Sequence, residues 1–146
     1  MKQKSALLSL LATLLCMAAL IVLCFFAVPL AKWYVGFRAM RNFLTVVIVI
    51  IFYVCAVPAM LALICLLSLL RRIHKGKTFD ARNARLLGFI GWCCVAVAIT
   101  CTVGGCFYAP FFLVSAAMLF LFLIVRVVRN CFMTAAELQE ENSLTI

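Results

Sequence analysis

Nine cysteines make thiol chemistry the first activity to consider in this 146-residue sequence. They stand at Cys16, Cys24, Cys55, Cys65, Cys93, Cys94, Cys101, Cys106 and Cys131. A membrane thiol oxidase needs C-x-x-C pairs near a loop, whereas the closest pair here is the adjacent Cys93 and Cys94. Eight of the nine lie within apolar stretches, where thiols pack as small apolar groups and metal binding lacks polar neighbours. We therefore expect packing cysteines and no cofactor. Cys131 alone lies beside basic residues, so its reactivity and a thiol-based redox role stay open.

Acid–base chemistry has few candidate residues. The chain has one histidine, His74, and four acids, Asp80 and the three glutamates of the last ten residues. None of them lies within an apolar stretch, so the buried carboxylate that proton- or cation-coupled transport uses is missing. None is placed beside a nucleophile in a predicted pocket either. We expect that the chain is not an enzyme and not a small proton-coupled exporter.

The elements that carry these residues are predicted to be membrane helices. The chain is 69% hydrophobic and 12% charged, whereas soluble domains are about 45–50% apolar and about 25% charged. Uncharged stretches cover residues 6–31, 43–70 and 86–125. A helix crosses the bilayer core in about 20 residues, so the third stretch forms two crossings. Gly104, Gly105 and Pro110 can break the helix between them. The expected fold is an all-α four-helix transmembrane bundle in one domain, with spans at about 6–31, 43–70, 86–107 and 110–128.

The distribution of basic residues predicts how the chain is oriented. With four spans, both termini and the loop 71–85 lie on one side of the membrane. That side carries ten of the 13 Lys and Arg residues, and Lys32, Arg38 and Arg41 are on the other. The positive-inside rule therefore places the loop and both termini in the cytoplasm.

The loop 71–85 holds a cluster of positive charge that we call the basic island. Its members are Arg71, Arg72, Lys75, Lys77, Arg82 and Arg85. Such residues hold orientation and meet the headgroups of anionic lipids, at about 1 kcal/mol each. No interleaved aromatic motif accompanies them, so we predict no direct binding of nucleic acid. Gly76 is expected to end the second helix and Thr78 to cap a third helix that begins at about Phe79.

Residues 130–146 form an acidic tail. Glu137, Glu140 and Glu141 recur at helical spacing, and Leu144 and Ile146 give the tail an apolar end. The fourth helix is predicted to continue to about residue 139 before fraying. The tail can pair with the basic island in one state and with a cytoplasmic partner in another. The alternative is a tail that is solvated or folded against its own loop.

The loop and the tail together carry a resemblance. The pattern I-x-x-G-x-x-F-x-x-x-N-x-x-x-L is present as Ile73, Gly76, Phe79, Asn83 and Leu87, and the chain ends in E-E-N-S-L-T-I. In these features, and in the order of its spans, the chain resembles the YoaS-like family of small bacterial membrane proteins, domain of unknown function 2975. Ser143 departs from the family, whose tails often carry Asp there, and Lys77-Thr78 stand where a Pro commonly precedes the Phe.

The resemblance implies a location as well as a fold. It implies a multi-pass protein of the bacterial inner membrane with no catalytic residues. Proteins of this family are often encoded beside a small helix-turn-helix regulator of the Cro type. By that association, the resemblance suggests such a regulator as a cytoplasmic partner.

Two functions remain in view. The favoured one is a regulatory or scaffolding membrane protein that holds a cytoplasmic partner through the basic island and the acidic tail. The alternative is a transporter or channel component for a neutral or apolar solute, including a homo-oligomer that lines a narrow path. It is supported by Pro58 in the middle of the second span and by scattered hydroxyl groups. These are Thr13, Thr45, Tyr53, Thr100, Thr102 and Ser115.

Overall fold

A computed structural model describes residues 2–38, 42–76 and 81–145. In chain order its helices are α1 (Lys2–Phe37), α2 (Asn42–His74), α3 (Ala81–Gly105) and α4 (Pro110–Leu144). Each is long and apolar enough to cross a membrane, and every regular element of the described residues is an α-helix. The predicted all-α fold with four spans is confirmed, and the chain is a multi-pass membrane protein.

The helices α1, α2 and α4 extend beyond the predicted spans, whereas α3 begins five residues before its predicted span and ends two residues short of it. Cys106 and Phe107 lie in the turn that follows α3 rather than in the helix. The turn begins where Gly104 and Gly105 were expected to break the chain, and the N–H of Tyr108 donates to the carbonyl of Gly104 at 3.0 Å. Pro110 is the first residue of α4, where its missing N–H leaves no helical hydrogen bond unmade.

The end of α2 is set by Gly76, as predicted. Its φ is +79°, a left-handed conformation that a residue without a Cβ adopts at little cost. The N–H of Gly76 donates to the carbonyl of Ile73 at 3.1 Å, and that of Lys75 to Arg71 at 3.2 Å. These bonds satisfy carbonyls that a helix end would leave open. The predicted cap Thr78 and the predicted helix start at Phe79 lie outside the described residues.

The helices pack in chain order and leave the bundle open. Within the described residues, the backbone of α1 approaches only α2, and that of α4 approaches only α3. The buried side chains are mostly small, among them Ala27, Ala31, Cys93, Ala98 and Cys101. Many of the large apolar side chains face outward, for example Phe25, Phe37 and Leu113. Small residues let neighbouring helices approach closely, and large exposed ones suit contact with lipid tails.

Close approach near the α3–α4 turn depends on two glycines. A Cβ on Gly104 would lie 2.5 Å from Cδ1 of Ile51, and one on Gly105 would lie 2.9 Å from ring atoms of Phe112. Polar side chains also connect α3 to α4. The Ser115 hydroxyl donates to the carbonyl of Ala98 at 3.0 Å and lies 2.7 Å from the Thr102 hydroxyl.

Candidate functional site

The structure places the basic island at the adjoining ends of α2 and α3. Arg71 and Arg72 occupy the last turn of α2, where the negative end of the helix dipole favours cations. Arg82 and Arg85 lie in the first two turns of α3, where the dipole disfavours positive charge. Exposed members are Arg71, Lys75, Arg82 and Arg85, whereas Arg72 is half-buried. Lys77 lies outside the described residues. Arg82, in the first turn, therefore gains no stabilisation from the dipole of its own helix.

Most residues of the motif I-x-x-G-x-x-F-x-x-x-N-x-x-x-L have a structural role at the end of α2 or the start of α3. Gly76 ends α2. Asn83 is 0% exposed, Leu87 is buried and Ile73 is half-buried. Phe79 lies outside the described residues. Asn83 and Leu87 are thus packed inside the bundle at the start of α3. The motif marks a helix end and a packing site.

The acidic tail is a continuation of α4. The helix runs to Leu144, five residues past the predicted end, and the N–H of Thr145 donates to the carbonyl of Glu141 at 3.2 Å. Hydroxyl groups of Ser143 and Thr145 donate to the carbonyls of Glu140 and Glu141 at 2.8 and 2.7 Å. Both hydroxyl groups are thus hydrogen-bonded within their own helix.

One face of this helix end gathers the residues that the tail hypothesis names. Glu137, Glu140, Glu141 and Leu144 recur at spacings of three and four, so they share a face, and we call it the acidic face. All four are exposed, and Leu144 is 82% exposed. Ile146 lies outside the described residues. The acidic face is thus open to solvent or to a partner.

The cysteines include one close pair that the sequence did not indicate. The Sγ atoms of Cys55 on α2 and Cys101 on α3 lie 3.8 Å apart. The two residues are 46 positions apart, and only the antiparallel pairing of the helices brings them together. All nine cysteines are free, and Cys131 is exposed. Within residues 2–38, 42–76 and 81–145, no three His, Cys, Asp or Glu side chains gather in a way that could hold a metal ion.

A groove of about 660 Å³ lies along the open side of the bundle. Because all four helices line it and pack in chain order, α2 and α3 form its floor while α1 and α4 form its walls. Its lining is almost wholly apolar and includes Cys16, Leu20, Cys55, Pro58, Cys101 and Met118. Pockets that bind small molecules measure about 300–1,000 Å³. The groove suits an apolar ligand and offers no acid or base for catalysis.

Aromatic side chains bridge α1 to the α3–α4 turn. The hydroxyl groups of Tyr34 and Tyr108 are hydrogen-bonded at 2.5 Å, and the guanidinium of Arg38 lies 5.8 Å from the centre of the Tyr34 ring. The hydrogen bond to Tyr34 raises the pKa of Tyr108, and desolvation raises it further. The structure thus brings together two tyrosines that are 74 positions apart in the sequence.

Two features of the site were missed by sequence reasoning. The groove and the Cys55–Cys101 pair both depend on which helices touch and which stay apart. Cys55 and Pro58 share a helix face with spacing three, a weak signal that any packed face also gives. No local pattern in the sequence marks α1 and α4 as separated.

Comparison with known proteins gives one match. A family model described as "Protein of unknown function (DUF2975)" matches residues 3–146. The predicted resemblance to that family is confirmed over nearly the whole chain. No curated protein and no solved structure matches the chain.

Proposed function

The chain belongs to the DUF2975 family, and we propose that it is a bacterial inner-membrane protein that holds a cytoplasmic partner on the end of α4. In this proposal both termini and the basic island are cytoplasmic. The partner binds the acidic face, with the basic island as a second contact surface. A small helix-turn-helix regulator is the partner that the family resemblance suggests.

The observation that carries the proposal is the unbroken course of α4. The helix has 35 residues, whereas about 20 residues cross a bilayer. Its last two turns carry the exposed acidic face. Glutamates at a helix C-terminus oppose the dipole by about 0.3–1 kcal/mol within the last turn. Glu141 therefore does not stabilise the helix that carries it, which favours a role in contact with another molecule.

The orientation rests on the distribution of positive charge. In the predicted topology, ten of the 13 Lys and Arg residues lie on the side of the membrane that holds both termini and the basic island. Such an excess is typical of cytoplasmic loops, because short loops rich in Lys and Arg stay on the cytoplasmic side when the protein is inserted. The same orientation sets the acidic face in the cytoplasm, where a regulator can reach it.

The test is a mild-detergent pull-down from native membranes, with captured proteins identified by mass spectrometry. The whole protein is compared with a chain truncated after Gln139 and with the triple variant Glu137→Gln, Glu140→Gln, Glu141→Gln. Three surface charge pairs at about 0.2–1 kcal/mol each lower affinity by about three- to 150-fold when lost. We expect a regulator of the helix-turn-helix class with the whole protein and its loss with both variants.

The matched control is the double variant Gln139→Ala, Asn142→Ala, which changes exposed residues on the opposite face of the same helix. It is expected to retain the partner. If the triple glutamine variant captures the same soluble proteins as the whole chain, docking through the acidic face is wrong. The basic island would then serve only orientation and lipid contact.

The alternative function, transport of a neutral or apolar solute, is favoured by one observation. The central groove of about 660 Å³ is open along the bundle and lined by apolar side chains and thiols. Flux of a small neutral solute in proteoliposomes, abolished when Ala59→Trp fills the groove, would support this alternative. Docking alone predicts no flux.

A further inference from the structure

A second, smaller cleft lies between α3 and α4 at the end away from their connecting turn. It measures about 190 Å³, and its walls are about half polar, unlike those of the central groove. We call it the arginine cleft; it is lined by Gly88, Gly91, Trp92, Phe122, Arg126 and Arg129, among others. Its volume equals that of about six water molecules, enough for a phosphodiester group.

The two glycines of α3 make room for side chains of α4. A Cβ on Gly88 would lie 3.3 Å from Nε of Arg129, and one on Gly91 would lie 3.3 Å from the ring of Phe122. The Arg129 side chain therefore lies flat across α3 at Gly88. The guanidinium of Arg126 lies 6.0 Å from the centre of the Phe122 ring. Both arginine head groups are thus held at the cleft.

No acidic residue of α3 or α4 lies close to the arginine cleft in sequence, because the nearest acid on α4, Glu137, is eight residues beyond Arg129. No Asp or Glu occurs in residues 81–105 or 110–136. The Nε of Arg129 is buried and has no hydrogen-bond partner within the described residues. A buried donor on a charged group is costly unless it is paired. We therefore expect the ligand of the arginine cleft to be an anion that accepts hydrogen bonds from a guanidinium group.

The depth of the cleft identifies where that anion comes from. Arg129 is 19 residues beyond Pro110, about 28 Å along the helix at about 1.5 Å per residue. Gly88 is 17 residues before Gly105, about 26 Å on the same basis. The hydrocarbon core is about 30 Å thick, so with Pro110 and Gly105 at one edge of the core both residues lie within about 4 Å of the opposite edge. From there the long Arg129 side chain reaches the lipid headgroups.

We propose that the arginine cleft binds the phosphate of one anionic phospholipid. Arg129 and Arg126 donate hydrogen bonds to the phosphate oxygens, because the planar guanidinium matches phosphate geometry. The acyl chains of the lipid lie along the exposed apolar faces of α3 and α4. This site is distinct from the basic island, whose exposed residues meet headgroups without a cleft.

The test is native mass spectrometry of the purified protein in an equimolar mixture of phosphatidylglycerol and phosphatidylcholine. We expect one phosphatidylglycerol retained in preference by the wild type. The double variant Arg126→Gln, Arg129→Gln is expected to lower that preference at least about tenfold. The control Arg71→Gln, Arg85→Gln removes the same charge from the basic island and is expected to retain the preference within about twofold.

Two further variants distinguish a site of defined shape from general attraction between charges. Gly88→Ala adds a Cβ against Arg129 without removing charge, and Arg129→Lys keeps charge without the planar fork. Both variants are expected to weaken lipid retention. The protein is expected to stay folded, because alanine favours the helix more than glycine does and lysine favours it about as much as arginine. If both retain the lipid as the wild type does, the preference comes from charge alone and the proposal is wrong.

The last arm asks which source supplies the anion. Thermal unfolding is followed with inorganic phosphate and, separately, with added phosphatidylglycerol. We expect protection by the lipid only, lost in the double glutamine variant. Protection by inorganic phosphate without protection by the lipid would assign the arginine cleft to a soluble anion and overturn the proposal.

Discussion

At the scale of single residues, the polar side chains of this chain are concentrated at the ends of the helices. Tyr34 and Tyr108 meet beside the α3–α4 turn, and Arg126 and Arg129 lie where the predicted membrane span of α4 ends, before its acidic extension. Between them most side chains are apolar, and most hydroxyl groups are bonded within the bundle, many of them to a carbonyl of their own helix, as Thr13 is to Ser9 at 2.9 Å. Such a bond satisfies a hydroxyl within its own helix. The residues that can recognise another molecule are therefore those at the two ends.

The contact between Tyr34 and Tyr108 predicts a dependence of stability on pH. Because the pKa of Tyr108 is raised in the folded protein, the contact stabilises the fold fully below the ordinary tyrosine pKa of about 10. That stabilisation is lost as the pH rises through the raised value. We expect the wild type to unfold at a higher temperature than Tyr34→Phe at neutral pH, with a difference that shrinks in alkaline solution.

The measurement is thermal unfolding in detergent between neutral pH and a pH above the tyrosine range. Tyr53→Phe serves as the control, because its hydroxyl donates to the carbonyl of Cys24 at 2.8 Å and does not contact Tyr108. A difference between wild type and Tyr34→Phe that stays constant with pH would contradict the role given to Tyr108.

At the scale of the helices, α2 and α3 form the central pair, with α1 packed against α2 and α4 packed against α3. Their antiparallel alignment places Ile51 opposite Gly104 and Cys55 opposite Cys101. The alignment is set by small residues, since a Cβ at Gly104 would collide with Ile51. Helices in lipid gain little from hydrophobic burial and depend on such close packing. The α2–α3 register is therefore well defined.

This register predicts a specific cross-link. In a variant whose only cysteines are Cys55 and Cys101, a thiol oxidant is expected to join the two sulfurs, which lie 3.8 Å apart. Trypsin then cuts the basic island between α2 and α3. The two fragments are expected to stay together on a non-reducing gel and to separate after reduction.

The matched control keeps Cys55 and Cys94 in place of Cys101. Cys94 lies seven residues earlier, two turns along the same face of α3, about 10 Å away at about 1.5 Å per residue. It is expected to give separate fragments without reduction. Equal cross-linking in both variants would show that the α2–α3 alignment is not the one described.

At the scale of the whole molecule, the chain is an open row of four helices with two sites at different places. The central groove faces the gap between α1 and α4, and the arginine cleft lies between α3 and α4. The acidic face extends past the membrane end of α4. The proposed lipid and the proposed partner thus bind one helix at successive levels, so lipid binding can influence how α4 is presented.

The orientation of the molecule can be tested with its own cysteines. Cys106 in the α3–α4 turn and Cys131 on α4 are both exposed, and they lie toward opposite ends of α4. In single-cysteine variants, a membrane-impermeant maleimide added to intact cells is expected to label Cys106 only. Cys131 is expected to react only after the membrane is permeabilised.

The opposite pattern, with Cys131 labelled in intact cells, would place the basic island outside. It would exclude a cytoplasmic partner for the acidic face. The variants serve as controls for each other, because they differ only in which exposed thiol is kept.

The sequence by itself determined the number of helices, their approximate ends and the family. Uncharged stretches have to become membrane helices because lipid offers no partner for backbone polar groups. Gly76 follows the end of α2 in a left-handed conformation and Pro110 begins α4, and both effects are local to the residue and can therefore be predicted from sequence. The end of α4 was placed too early because residues 140–144, which read as a polar tail, continue the helix to Leu144.

Only the tertiary structure decided which residues meet. The Cys55–Cys101 pair, the groove and the arginine cleft depend on the order and rotation of the helices around one another. In a chain this apolar, nearly every helix face is hydrophobic, so periodicity does not show which face turns inward. That choice is made by small residues such as Gly88 and Gly91, which admit the side chains of a neighbouring helix. Their effect exists only once the two helices are packed.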